Sequence, residues 1–207
     1  MVETLQTENP LALLVGRGPA ELKTQMTREQ FHHFVLSNGD FKIERDKFGT
    51  ITIHPPMTLD SGFNEGEAFF ALKLWSKSNQ LGKAYSPTTS FDLPDGATCK
   101  ADGAWISMKK LATLSEEERK RIAAVVPEFV LEVRSQSDRL GKLKKKMTDT
   151  WIANGVQLAW LIDPIQEKAW VYRADGSKDE ITDFNGSLNG EDVLPGFVFD
   201  LREMKTT

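Results

Sequence analysis

The chain has 207 residues, 40% apolar and 27% charged, with a formal charge of −4: enough for one packed domain, too little for two ordinary ones. The acidic balance excludes a surface that grips polyanions indiscriminately, while leaving room for a local basic patch. A single cysteine, Cys99, excludes an intrachain disulfide framework and fits a reducing cytoplasm, and the apolar run "LALLV" at 11–15 is far too short for a membrane span.

Residues 1–26 mix Pro10, Gly16, Gly18 and Pro19 with little periodicity and read as an N-terminal arm or tail; a single domain is expected over 27–207. "MTREQFHHFVLSNG" opens with Thr27 three residues before Gln30, a capping box, and carries Phe31, Phe34 and Val35 on one side, so it predicts a short amphipathic helix. "FKIERDKFGTITIHPP" alternates on both sides of a turn at Lys47–Gly49, which predicts two antiparallel strands around Ile43 and Ile51–Ile53. From Asn64 to Gln80 apolar residues recur at spacings of three and four, a second helix stopped by Gly82. "TTSFDLPDGATCKADGAWIS" reads as two extended runs around the "PDG" turn, with Asp102 in or just before the second.

Residues 108–126 are charged and alanine-rich, a surface helix or helical excursion closed by Pro127. "FVLEVRS" is a strand, because its apolar residues are β-prone and too few for a buried helix. The cationic segment 138–154 follows as a helix with Leu140, Leu143, Met147 and Trp151 on one stripe, stopped by "NGV". "QLAWLIDP" and "KAWVYRA" are two further strands. Helices mixed among strands and hairpins imply a mixed sheet covered by helices.

The informative residue is an acid inside an apolar strand. Along "FVLEVRS", Phe129, Leu131 and Val133 face one way and Val130, Glu132 and Arg134 the other, so Glu132 sits in apolar company. A carboxylate there is costly unless paired, hydrogen-bonded or bound to a cation. One reading is a structural ion pair with Arg134 or with one of Lys142, Lys144, Lys145 and Lys146. The other brings in Asp102, which precedes the apolar run "AWIS". If the two strands are neighbours, Asp102, Glu132 and the main-chain carbonyl of Val133 form the hard oxygen environment that Mg²⁺ or Mn²⁺ prefers. A lysine aimed at the same place would orient a water and offset charge on a phosphate. Two residues after Glu132 stands Arg134, which cannot act as a base; Lys142 and Lys146 share a helix face, and Lys146 adjoins Met147 on the core stripe. Lys144 and Lys145 read as solvated.

Taken together, "KADGAWIS", "EFVLEVRSQSDRL", "KKKMTDTWIANGVQLAWLIDP" and "LNGEDVLPGF" resemble the Uma-two family of the PD-(D/E)XK restriction-endonuclease-like superfamily, over about residues 27 to 203. The resemblance implies an α/β fold, a restriction-endonuclease-like mixed central β-sheet flanked by α-helices. It also implies a metal-dependent endonuclease acting on nucleic acid, DNA first among the candidates, with a homodimer as one possible assembly. By motif match the metal and catalytic set falls on Asp102, Glu132 and Lys146, and Glu44 in "KIER" takes the place of a further early acid. Ala101 stands where the family usually has proline, which touches strand geometry and leaves the carboxylate intact.

The remaining candidates read more plainly. His32 and His33 are adjacent and face apart on a helix, and His54 is remote, so no metal-ligand spacing emerges. Ser135 and Ser137 have no histidine nearby for nucleophilic catalysis. Asp163 before Pro164 is a turn residue, and the five tryptophans belong to the core. A nucleic-acid-binding or assembly module that keeps the acid and lysine only as a structural ion pair remains the alternative.

Overall fold

The structure, a computed structural model, describes Leu11, Val15 and residues 18–204. Most of the arm expected over residues 1–26 lies outside the described residues. Of the part described, β1 (Ala20–Lys23) is not separate from the sheet system: it pairs antiparallel with β3 (Thr50–Ile53), Leu22 opposite Ile51.

Two sheets organise the molecule. The smaller runs in the order β1-β3-β2-β6-β5, with β2 (Ile43–Arg45), β5 (Ser90–Asp92) and β6 (Thr98–Lys100). The larger contains β4 (Gly82–Tyr85), β7 (Gly103–Ser107), β8 (Phe129–Val133), β9 (Leu158–Asp163), β10 (Lys168–Arg173) and β11 (Lys178–Ile181), in the order β11-β10-β9-β8-β7-β4. It is mixed: β8 pairs antiparallel with β7 and parallel with β9. A separate hairpin joins β12 (Ser187–Asn189) to β13 (Val198–Asp200).

Both predicted early helices are present. α1 (Arg28–Ser37) starts at the Thr27–Gln30 capping box, where each residue's side chain accepts from the other's backbone N–H. α2 (Leu59–Asn79) begins a turn earlier than its buried stripe suggests, because Thr58 accepts from the Ser61 N–H as its cap; it ends at Gln80, in the left-handed conformation. Gly82, read as the helix stop, is instead the first residue of β4. A Cβ there would lie 2.4 Å from the Trp105 ring, so the glycine serves close strand packing. Residues 108–126 form two one-turn helices, α3 (Met108–Leu111) and α4 (Glu116–Arg119), rather than one excursion. The cationic helix has three parts: α5 (Leu140–Lys146), a widened π-turn at Met147–Trp151 and a 3-10 turn at Ile152–Asn154.

The alternation along β8 divides the core. Phe129, Leu131 and Val133 join Ala68 and Leu72 of α2 on one face of the large sheet; Val130 joins Met147, Trp151 and Leu161 on the other. On the first face Phe197 stacks on Trp160 at 5.3 Å and Phe129 meets Trp160 edge-on at 4.9 Å. Each such side chain contributes about 1.5–3 kcal/mol by leaving water. A third cluster holds Phe31 and Val35 of α1 with Ile43, Ile51 and Ile53.

Candidate active site

The run "CKADGAWIS" is shared between two strands, and Asp102 falls just before the second of them. β6 ends at Lys100 in the small sheet and β7 begins at Gly103 in the large one, with Ala101 and Asp102 at the crossing. Pairing of Gly103 with Leu131 sets Asp102 beside the end of β8, where its Oδ2 accepts from the Val133 N–H at 2.8 Å. Gly103 permits this approach, since a Cβ would meet the Leu131 side chain at 3.0 Å. Glu132 projects to the helical side of β8, and its Oε1 accepts from the Trp151 Nε1–H at 2.8 Å. The π-turn ends at Trp151.

Lys146 closes the group. Its Nζ lies 2.7 Å from Glu132 Oε1, 2.9 Å from Glu44 Oε1 and 3.0 Å from the Lys100 carbonyl oxygen, three acceptors for three ammonium hydrogens. Glu44, on β2, also accepts from the Lys100 N–H at 2.8 Å and from His54 Nε2 at 3.0 Å. Thus Asp102, Glu132, Lys146 and Glu44, from four segments of the chain, lie in one buried network. The ion-pair reading of Glu132 names the right neighbour in Lys146; Arg134 pairs instead with Asp163, whose Oδ2 accepts from Arg134 Nη1 at 2.8 Å.

Three members escape sequence reasoning. Lys42 donates to Asp102 Oδ1 at 2.6 Å; it lies two residues from Glu44 on the same face of an extended segment, which is a usable signal. His54 reaches Glu44 because the residue continues β3 beside β2, its N–H bonded to the Lys42 carbonyl. Glu65 sits on α2 and lines the same cleft, close enough to Asp102 to feel its charge; nothing in its spacing separates it from neighbouring Glu67. His32 likewise has a partner, Asp92, at 3.1 Å.

Burial and charge pull these groups in different directions. Burial pushes the Glu132 carboxyl up, a push partly offset by Lys146. Burial also acts on Glu44, but Lys146 and His54 hold its carboxyl well below the usual range; Lys42 and the Val133 N–H likewise outweigh burial at Asp102 and hold it low. Lys146, despite its burial, is held protonated by Glu132 and Glu44. Glu65 goes the other way: burial and the neighbouring Asp102 charge push it up to about 8.

The network forms the floor of a cleft of about 860 Å³, whose walls include Pro55, Ser61, Ser135, Arg139 and Lys142. Ser135 is engaged locally, its Oγ donating to Asp138 Oδ2 at 2.6 Å. Lys142 pairs with Glu21 across the mouth. Lys144, read as solvated, lies over the Trp170 ring at 3.7 Å, a cation–π contact.

Among the described residues no group of three or more His, Cys, Asp or Glu side chains is gathered as a ready ligand set; the ammonium groups of Lys42 and Lys146 lie against Asp102 and Glu132 instead. The donor chemistry nonetheless suits a hard divalent cation. The carboxyl groups of Glu44, Asp102 and Glu132 face two ammonium groups, with the Glu65 carboxyl beside them and Val133 lining the same cleft, so oxygen donors outnumber the cations at the floor.

Comparison with known proteins bears on the same region. No curated protein matches the chain. The crystal structure of a putative nuclease belonging to DUF820 from Anabaena variabilis superposes with a TM-score of 0.66 at 16% identity, covering 78% of this chain and 88% of that one. Its likeness establishes the fold: an α/β domain of the restriction-endonuclease-like type, mixed sheets flanked by helices. The sequence model of the Uma2 family, described as "Putative restriction endonuclease", matches residues 28–202, which include every residue of the network. The chain belongs to the Uma2 family.

Proposed function

We propose that the protein is an endonuclease that hydrolyses phosphodiester bonds of DNA with the help of Mg²⁺ or Mn²⁺. The observation that carries this reading is the meeting of Asp102, Glu132 and Lys146 at the floor of one cleft in a member of a family described as "Putative restriction endonuclease". Asp102, Glu132 and the Val133 main-chain carbonyl would hold the cation, with Glu65 beside them. A bound divalent ion supplies Lewis acidity at a phosphoryl oxygen and lowers the pKa of water.

The remaining work falls to the chain's own groups. Lys146 is a donor rather than a base, because its ammonium is held protonated among three acceptors. Were Glu132 to hold the cation, one N–H of Lys146 would be free to orient a water and to offset charge building on the phosphate. Glu44, fixed by His54 and the Lys100 N–H, keeps Lys146 aimed at the floor. Lys42 stabilises Asp102 in its charged form. Arg139 and Lys142 at the mouth suit the phosphate backbone.

The test is cleavage of duplex DNA, single-stranded DNA and structured RNA side by side in Mg²⁺. Duplex DNA should be cut, and Asp102→Ala should slow cutting by about a hundredfold or more; a variant as fast as wild type removes the proposal. The direct Lys146–Glu132 contact favours one second reading, a nucleic-acid-binding module in which the pair is structural. Calorimetry separates them: that reading requires DNA binding with no Mn²⁺ heat.

A further inference from the structure

The outer face of α2 carries an apolar stripe that nothing described in the chain covers. Leu59, Phe63, Phe70 and Leu74 recur at spacings of four, seven and four and are 93%, 50%, 62% and 54% exposed. Ala68, Leu72 and Ser76 on the opposite face are the ones buried against the sheet. Such a row on a 21-residue helix is unlike scattered exposed apolar residues, which need no explanation. Between these side chains lie Gly62 and Gly66. Neither has a positive φ, and a Cβ on either would meet nothing within 4 Å. Glycine in a helix interior weakens it, and no contact within the chain requires these two. Flat positions one turn apart are what close approach of a second helix needs.

We propose that this face is the contact between two copies of the chain, their α2 helices packed antiparallel about a two-fold axis. Charge argues for a second copy. Asp60 lies at the start of the helix and Lys77 in its last turn, both exposed, so an antiparallel pair sets Asp60 of each copy near Lys77 of the other, whereas a parallel pair opposes like charges. The stripe is also self-complementary in register: the offset that lays Phe70 over Gly66 of the second copy also lays Leu74 over its Gly62, and the two-fold repeats both contacts. The described residues of the N-terminal segment do not compete for this face, since Leu11 and Val15 pack with Phe31 and Ile53 in the α1 cluster. The inference does not depend on the nuclease reading. If both hold, Glu65, next to Gly66, ties the floor of each cleft to the contact.

The test is sedimentation equilibrium of the full chain over a roughly hundredfold concentration range. Wild type should fit a monomer–dimer equilibrium, and Phe70→Glu should raise the dissociation constant about a hundredfold with an unchanged circular dichroism spectrum. Gly66→Leu, which adds helix propensity while filling the flat position, should also give monomer and keep its fold. Asp60→Lys and Lys77→Asp should each weaken association by about three- to tenfold, and the two together should restore it. A wild type that stays monomeric throughout overturns the proposal, as does a dimer indifferent to Phe70→Glu and Gly66→Leu, whether that dimer uses another surface or not.

Discussion

Replacing Lys146 with methionine keeps most of the side-chain volume and removes one charge, which isolates what that charge holds together. Its ammonium lies 2.7 Å from Glu132 and 2.9 Å from Glu44, groups only 1% and 8% exposed. Removing one partner of a buried ion pair costs about 3–5 kcal/mol, because the remaining charge is left without water or counter-ion. Here two carboxylates lose the same cation, so Lys146→Met should cost at least the lower end of that range. At pH 8 both acids must ionise or stay protonated against the solvent, and the loss should be largest there. At pH 5 protonation relieves them and the loss should shrink. Urea denaturation at both pH values measures this directly. A loss below about 1 kcal/mol at pH 8, or one that does not vary with pH, refutes the view that Lys146 neutralises the floor of the cleft.

Other outcomes follow from the same geometry. Glu65 has a folded pKa of about 8 against a usual 4.5, so its contribution to stability is complete below about pH 4.5 and is lost as pH rises through about 8. Metal-free wild type should therefore lose stability over that window relative to Glu65→Gln, and parallel pH profiles contradict this. Gly82→Ala forces a Cβ to within 2.4 Å of the Trp105 ring and 2.3 Å of the Ile106 carbonyl, and thermal denaturation should register an overpacking loss of about 1–3 kcal/mol. Arg134→Met leaves the fully buried Asp163 without its cation. It should cost about 3–5 kcal/mol in urea, and Arg134→Met/Asp163→Asn should recover part of that loss.

What the sequence discloses about this site is set by how local the physics is. Glu132 is legible because strand alternation is local: one acid among Phe129–Val133 must face apolar company. Lys146 is legible because helix spacing puts it beside the buried Met147. The crossing at Ala101–Asp102 is not, since "TCKADGAWIS" has the same β-prone texture through both sheets and only pairing partners reveal the change. Glu65 and His54 are joined to the site by contacts across the fold, with Asp102 and Glu44, which no spacing encodes. The π-turn that ends at Glu132's partner Trp151 is hidden because Met147 and Trp151 satisfy ordinary helical periodicity. α2 begins earlier than its core stripe suggests for a related reason: Leu59 and Phe63 face away from the core, so they read as outside the helix until the Thr58 cap is seen.

The central claim is that the carboxylates of Asp102 and Glu132 share a divalent cation within reach of Lys146. Crystals soaked in Mn²⁺ and measured for anomalous scattering test it most directly. The account requires a peak between those two carboxylates, lost in Glu132→Ala. Crystals that show no peak there, with the Lys146 ammonium still seated on Glu132, would contradict it.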